Sequence, residues 1–435
     1  MLTLDPRGRI LRPGYLLIEA GRIRSVGEGP PPVGHPAADH LHLPGRLLMP
    51  GLVNAHTHSP MVLFRGLAEG HSLFTFEGWF EAIRSWEQVL DPEWIAPAVT
   101  VSCAEMIRTG TTCFADQYFH MDRIVPAVRR SGLRAALAYG IVELGDPGAR
   151  DHELAAAEAF LEAMLDDPLL TGWIGPHAFF VDNSPEAIAR ELALADRFSA
   201  GLHIHLATSG EEDRYCQEHF GHSAVAEMQR LGVLRRRMVA AHCLTIPEAD
   251  LPALAGGPFS AVMCPSACMR SGAAAPPLVA MQAAGVQLAV GSDNVANNNS
   301  YDLFEELRTM AKLAAFSQGR PGALSAEEAL RMATLGGARA LGLESEIGSL
   351  EPGKAADLIA LDLTQIGWAP SRGQDLYTAL VYAAGGMHVT DAMVAGRWLY
   401  RRGEWITLDY PAAVAELEQA HAQLIQARAA VQEPP

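Results

Sequence analysis

Positive charge is scarce in this chain. Its 435 residues include 33 Lys and Arg against 50 Asp and Glu, which gives a formal net charge of −17. The densest basic run is the Arg triplet at residues 235–237. Surfaces that bind phosphate need a higher concentration of positive charge than this. We therefore expect neither a nucleic acid nor an anionic membrane as a partner.

Long apolar runs and paired cysteines are also missing. No uninterrupted apolar stretch reaches the roughly 18 residues that a membrane-spanning helix requires, and no secretory signal peptide opens the chain. The 6 cysteines include no Cys-x-x-Cys pair and have no disulfide-like spacing. These absences predict a reduced, soluble protein of the cytoplasm.

The chain instead alternates apolar, β-branched runs with amphipathic helical stretches, of which the clearest cover residues 151–167, 185–199, 211–231 and 302–317. Alternation of this kind is typical of βα units around a parallel sheet. Eight βα units predict a (β/α)8 barrel. The eight apolar runs end near His58, Asp116, Gly140, His177, His205, His242, Pro265 and Asp293.

Short β segments with Gly and Pro between them occur before and after this region, which predicts a small β-sandwich side domain built from both ends of the chain. The predicted class is thus α/β. We place the first part of the side domain at residues 1–50, the barrel at 51–345, the second part of the side domain at 346–410 and a C-terminal helix at 411–435.

A His-x-His pair closes the first strand of the predicted barrel. Side chains two residues apart on a strand point to the same face, so His56 and His58 are expected to aim two imidazoles at one point. An isolated pair of this kind is more often an ordinary polar strand end. Its significance here depends on further ligands at the ends of other strands.

Two such ligands follow on later strands. His205 ends the fifth predicted strand and Asp293 ends the eighth. His203 competes with His205 for the role of ligand, and we favour His205 because it lies at the very end of its strand. Three imidazoles and one carboxylate suit zinc or ferrous iron, and they leave a position for a water whose pKa the metal lowers. His242, on the sixth strand, is expected near that water.

These residues lie in a set of motifs. Residues 50–58 read Pro-Gly-Leu-Val-Asn-Ala-His-Thr-His, and Ile-His-Leu, Ala-His-Cys and Gly-Ser-Asp follow at residues 204–206, 241–243 and 291–293. Together with residues 298–308 and 348–358, they resemble the amidohydrolase superfamily. More narrowly, they resemble the ATZ/TRZ branch, which includes S-adenosylhomocysteine/5′-methylthioadenosine deaminases, guanine deaminases and triazine hydrolases.

The resemblance implies a role for each residue. It implies one divalent metal ion, usually zinc and alternatively iron, held by four ligands. It implies that His242 is catalytic and lies beside the attacking water, and that Asp293 is also catalytic. The Gly-Pro-His-Ala stretch at residues 175–178 implies that His177 binds substrate. The metal ligands on this basis are His56, His58, His205 and Asp293.

One departure from the family concerns a carboxylate. Deaminases of the family carry a Glu three residues after the strand-five His, where it transfers a proton to a ring nitrogen of the substrate. This chain has Thr208 at that position, as though the Glu were deleted. Glu211 and Glu212 follow in the first turn of a predicted helix. Met1 lies at the position where members of the family have already completed a first strand. We therefore expect either that one strand of the side domain is absent or that the start site is misassigned.

The resulting hypothesis is a metal-dependent aminohydrolase that attacks a C–N bond at an sp2 carbon of a nitrogen heterocycle. The missing Glu leaves two alternatives. One is a hydrolase of a cyclic amide, amidine or halide that needs no ring-nitrogen protonation, and the other is a non-catalytic metal-binding barrel. The expected partner is a small heterocyclic substrate. A homo-oligomer is compatible with these features, since acidic barrel hydrolases of this size often associate.

Overall fold

A ring of eight parallel strands forms the centre of the molecule. In the computed structural model, which describes residues 1–32, 39–370 and 373–432, these strands are hydrogen-bonded in sequence order. The described strands are β1 (Gly14–Glu19), β2 (Arg22–Glu28), β3 (Arg46–Pro50), β4 (Leu52–Thr57), β5 (Thr111–Tyr118), β6 (Arg134–Ile141), β7 (Leu170–Pro176), β8 (Leu202–Leu206), β9 (Met238–His242), β10 (Phe259–Met263), β11 (Gln287–Val290), β12 (Leu358–Asp362), β13 (Val389–Val394), β14 (Arg397–Arg401) and β15 (Glu404–Trp405).

Strands β4 to β11 make the barrel, and their apolar residues are buried on both faces because helices cover the outside. The ring closes between β4 and β11, where the Asp293 N–H donates to the His56 carbonyl oxygen at 3.0 Å. Gly291 permits this approach, since a Cβ there would lie 2.8 Å from the His56 nitrogen. The predicted barrel is confirmed.

Both ends of the chain build the side domain. Strand β3 pairs with β12 in a five-stranded antiparallel sheet of order β15-β14-β13-β12-β3, and β1 and β2 form a separate hairpin. A buried ion pair between Arg134 of the barrel and Asp357 of the side domain, at 2.9 Å, joins the two parts. The prediction of a side domain from both chain ends is confirmed.

Helices surround the barrel, and most of them follow a barrel strand. The described α-helices are α1 (Phe76–Trp79), α2 (Ser85–Glu87), α3 (Ile95–Arg108), α4 (Met121–Ser131), α5 (Pro147–Ala163), α6 (Pro185–Phe198), α7 (Glu211–Phe220), α8 (Ala224–Arg230), α9 (Leu251–Leu254), α10 (Pro265–Arg270), α11 (Leu278–Ala284), α12 (Leu303–Gln318), α13 (Ala326–Arg331), α14 (Gly337–Ala340), α15 (Leu376–Tyr382) and α16 (Tyr410–Gln432). Single turns of π-helix link α1 to α2 and α13 to α14. Within the described ranges, no helix combines the length and the apolar character needed to cross a membrane.

The prediction of a single helix over residues 211–231 is wrong, because the structure has two helices there. Gly221 follows α7 with a φ of +76°, which a glycine adopts without steric cost. Ser223 then begins α8, and its side chain accepts a hydrogen bond from the Ala226 N–H. The periodicity of apolar residues continues across the break, and for that reason it did not reveal the turn.

Candidate active site

Five polar side chains converge at the carboxyl ends of the barrel strands. They come from β4, β8, β9 and the segment after β11, which are distant in the sequence and meet because parallel strands end at one face of a barrel. Four of them are under 10% exposed, and the fifth, His205, is partly buried. The five residues are His56, His58, His205, His242 and Asp293.

Four of these groups present their ligand atoms to one point. Asp293 Oδ1 lies 3.4 Å from His56 Nε2 and 3.5 Å from His58 Nε2. His58 Nε2 lies 3.2 Å from His205 Nε2. The structure thus brings together all four residues predicted as metal ligands. Ligand atoms about 2.1 Å from a tetrahedral zinc ion lie about 3.4 Å from one another, which agrees with these separations.

The other ring nitrogen of each imidazole fixes its orientation. His58 Nδ1 donates to the Gln117 carbonyl oxygen at 2.7 Å, and His205 Nδ1 donates to the His177 carbonyl oxygen at 2.8 Å. Because a carbonyl only accepts, both rings carry their proton on Nδ1 and keep a lone pair on Nε2. Outer hydrogen bonds of this kind are characteristic of histidines that bind metals.

His56 is oriented by His203. His56 Nδ1 lies 2.6 Å from His203 Nε2, so His203 stands behind His56. Burial lowers the pKa of His203 to about 3, which keeps its ring neutral and able to accept this hydrogen bond. Of the two histidines considered on this strand, the structure thus places His205 beside His58, while His203 contacts the far side of His56.

The chemistry of this cluster fits a divalent metal. His56 Nε2 is buried without a hydrogen-bond partner among the described residues, and an unpaired buried polar atom is costly. Burial, followed by the neighbouring histidines, lowers the pKa of His56 and of His205 well below its ordinary value. Neutral imidazoles that face each other and a carboxylate cannot hydrogen-bond, whereas a cation between them satisfies every lone pair.

His242 ends β9 beside this cluster. Its backbone has a φ of +77°, a strained conformation for a non-glycine residue and one that is common at functional sites. Burial lowers the pKa of the ring to about 4, despite the opposing charge of Asp293. The ring centroid lies 5.4 Å from that of His56 and 4.4 Å from that of Phe74, and Nδ1 has no described partner. His242 is thus a neutral imidazole at the wall of the site.

His177 follows β7 and faces the same cavity. Its ring lies between Trp79 and His205, with centroid distances of 4.6 Å to each. Its Nδ1 donates to Asp182, a buried residue that also accepts the Ala178 N–H at 3.0 Å. Burial lowers the pKa of His177, but the charge and hydrogen bond of Asp182 outweigh this and leave the pKa raised. Nε2 is the nitrogen left to contact a substrate.

An aromatic cavity opens above the cluster. One wall comes from the segment between β4 and α3, which contributes Phe74, Phe76 and Trp79. Phe119, Val142 and Val181 also line the cavity. The aromatic lining suits a planar ring, which binds by stacking and burial of its faces. The polar residues in the lining are Thr75, Glu87, Gln117, Tyr118, Asp182, Thr208, Glu211 and Asn294, besides the histidines and Asp293.

The position of the absent family Glu is visible in this cavity. Thr208 lines it, whereas Glu212 turns back and accepts the Ala207 N–H at 2.9 Å. Burial raises the pKa of Glu212 to about 7. Glu211 lines the cavity, where its carboxylate accepts the Phe76 N–H at 3.5 Å. Of the two acidic residues considered after Thr208, the one at the cavity is Glu211.

Sequence reasoning missed several residues that shape this site. Gln117 accepts from His58 and donates to the His203 carbonyl oxygen at 2.6 Å, which joins two strands that carry histidines. Asp116 accepts the Thr57 hydroxyl at 2.7 Å and the Ser59 N–H at 2.6 Å, and so fixes the end of β4. Asp116 stood at a predicted strand end, but Gln117 and the aromatic residues had no motif to mark them.

Comparison with known proteins agrees with this geometry. The amidohydrolase family matches residues 47–399. The chain belongs to this family. It is 38% identical over 407 residues to a 5-methylthioadenosine/S-adenosylhomocysteine deaminase of Moorella thermoacetica, which covers 92% of this chain and 93% of that protein. It is 35% identical over 428 residues to a 5′-deoxyadenosine deaminase of Methanosarcina acetivorans, with 98% and 96% covered.

A solved structure of an adenosine deaminase from Xanthomonas campestris with bound zinc superimposes on this amidohydrolase with a TM-score of 0.89, at 33% identity, over 98% of this chain and 97% of that one. The resemblance stated from the sequence is thus confirmed. So is the prediction of a metal-dependent hydrolase that cleaves C–N bonds. The comparisons support neither of the two alternatives, the hydrolase of a cyclic amide, amidine or halide and the non-catalytic barrel.

Proposed function

We propose that this amidohydrolase removes an exocyclic amino group from a planar nitrogen heterocycle of the nucleoside type, releasing ammonia. The observation that carries the proposal is the convergence of three imidazoles and a carboxylate on the floor of an aromatic cavity, with Asp293 Oδ1 3.4 Å from His56 Nε2 and 3.5 Å from His58 Nε2, and His58 Nε2 3.2 Å from His205 Nε2. The deaminases among its relatives support the choice of substrate class.

The metal in this proposal is one divalent ion, zinc in the first instance, with His56, His58, His205 and Asp293 as ligands. Its positive charge would lower the pKa of a water molecule and polarise the reacting carbon. Asp293 has a second carboxylate oxygen, which accepts a proton from the attacking water. The neutral His242 ring donates a hydrogen bond to the charge that develops on the substrate.

The cavity walls hold the substrate in place. Trp79 and Phe74 stack against the heterocycle, and His177 offers its Nε2 to a polar atom of the ring. The hydrogen bond from His177 Nδ1 to Asp182 keeps that nitrogen directed at the cavity. Such positioning lowers the entropic cost of bringing the reacting carbon to the water.

The first prediction concerns the metal. Purified protein is expected to contain one zinc or iron ion per chain, and removal by a chelator should abolish ammonia release from the substrate. Elemental analysis before and after chelation, together with an ammonia assay on a panel of aminoheterocycles, measures both. Full activity of the metal-free protein would contradict the proposal, as would ammonia release from no member of the panel by the reloaded protein.

Thr208 favours a second candidate function. No carboxylate stands at this position to protonate a ring nitrogen, and Thr208 cannot do so near neutral pH. A hydrolase whose leaving group departs unaided, such as one that acts on a halide or a cyclic amidine, does not need that proton. Including halogenated and alkoxylated heterocycles in the panel distinguishes the two functions.

The second prediction tests this residue directly. Thr208→Glu is expected to raise kcat/KM for aminopurine deamination by roughly 10²–10⁴-fold, the contribution of a well-placed general acid or base. Thr208→Gln is the matched control, because it has the same length without the titratable group. This prediction belongs to the second candidate function: deamination of an aminopurine by the unmodified protein at ordinary enzymatic rates would contradict it and would support the proposed deaminase instead. Glu211→Gln and Glu212→Gln would then identify the proton source.

A further inference from the structure

Carboxylates line the cavity, and its described lining includes no basic side chain other than histidine. Among the described lining residues, none is lysine or arginine. A substrate that carries a phosphate or a carboxylate therefore meets no lysine or arginine side chain in the cavity. The four acidic residues of the lining are Glu87, Asp182, Glu211 and Asp293.

Two of these carboxylates are paired with a basic side chain, and a third is a ligand of the proposed metal. Glu87 accepts a hydrogen bond from Arg84 at 3.1 Å, and the same guanidinium lies 5.3 Å above the ring of Phe119. Asp182 is paired with His177, and Asp293 faces the proposed metal. The two basic side chains that contact these carboxylates, Arg84 and His177, are thus already engaged.

Glu211 differs from the other three. Its described polar contact is the Phe76 N–H, and no described ion pair includes it. It is the first residue of α7, whose N-terminus would otherwise attract an anion, but the first turn carries the carboxylates of Glu211, Glu212 and Asp213. Glu211 is only partly buried and lines the cavity, so its negative charge faces an entering ligand.

From this we infer that the substrate is a nucleoside-type heterocycle without a phosphate or carboxylate group, and that Glu211 both accepts a hydrogen bond from a hydroxyl or amine of the substrate and repels anionic analogues. This inference rests on the proposed function and narrows its substrate class. An anion that enters loses its hydration, gains no lysine or arginine in exchange, and is repelled by Glu211.

The test compares two ligands of nearly equal shape. Adenosine-5′-carboxamide and adenosine-5′-carboxylate differ mainly in charge, so size does not confuse the comparison. We expect the zinc-loaded protein to bind the carboxamide about 100-fold more tightly than the carboxylate, measured as Kd by calorimetry. Equal Kd values, or tighter binding of the carboxylate, would overturn the inference, and so would binding of neither compound.

A variant assigns the effect to one residue. Glu211→Gln keeps an oxygen that accepts the Phe76 N–H but removes the charge, and it should reduce the ratio of the two Kd values by about tenfold. Glu218→Gln is the matched control, because Glu218 is exposed on the same helix and loses the same charge. If Glu218→Gln reduces the ratio as much as Glu211→Gln does, the effect is due to net charge, and the role given to Glu211 is wrong.

Turnover of the same two compounds separates this inference from the proposed function. If the carboxamide binds more tightly but releases no ammonia, the charge preference stands and deamination fails. If both compounds are deaminated with equal kcat/KM, deamination stands and the charge preference fails.

Discussion

Asp293→Asn is expected to abolish turnover, with kcat falling by at least about 10³-fold. The substitution removes a negative charge from the proposed metal ligand and removes the acceptor of the proton from water. The fold should persist, because the new amide oxygen can still accept the Asn294 backbone N–H, which Asp293 Oδ1 now accepts at 2.7 Å. Steady-state kinetics and elemental analysis of the purified variant measure both effects.

A control for this variant lies in the side domain. Asp391 is buried like Asp293, so Asp391→Asn makes the same chemical change far from the cavity. It should retain turnover. If Asp293→Asn keeps activity within tenfold of the unmodified protein, then Asp293 is not the proton acceptor.

His242→Ala is expected to lower kcat by about 10²–10⁴-fold and to leave the metal content unchanged. In the mechanism proposed above, the ring stabilises charge on the substrate without binding the metal. The expectation of unchanged metal content is the stricter test, because nitrogens of His242, His56 and His205 lie within 4.8 Å of one another and could together hold an ion.

Metal analysis of the His242 variant therefore decides between two roles. Loss of the metal together with activity would make His242 a ligand. His219→Ala is a suitable control, since His219 is an exposed residue of α7 and should affect neither quantity. Unchanged kcat in His242→Ala would remove this residue from the mechanism.

The barrel could be predicted from the sequence because its strands lie in short apolar runs that end near a polar residue or near a Gly or Pro. Observed strand ends lie close to all eight predicted positions; β8, for example, ends at Leu206, one residue after the predicted His205. The convergence of the histidines and Asp293 followed from the rule that active sites of barrels lie at the carboxyl ends of the strands.

Other features depended on contacts that no local pattern encodes. The backbone carbonyl oxygen of Gln117 accepts a hydrogen bond from His58, and its side-chain amide donates one to the His203 carbonyl oxygen. No motif in the flanking sequence identifies Gln117 as part of the site. The pairing of His177 with Asp182 arises from a turn in which Phe180 has a φ of +65°. The aromatic wall needs the segment after β4 to fold over the barrel mouth, and tertiary packing decides this.

The junction between β4 and β11 has a consequence for how the chain matures. These two strands come from opposite ends of the barrel sequence, and the hydrogen bond from the Asp293 N–H to the His56 carbonyl links them without a regular ladder. A cation bound by His56, His205 and Asp293 would link the strands that meet at this junction. During synthesis, these ligands cannot bind a metal together until residue 293 has left the ribosome. Metal binding would therefore be among the last steps of folding and would stabilise the closed barrel.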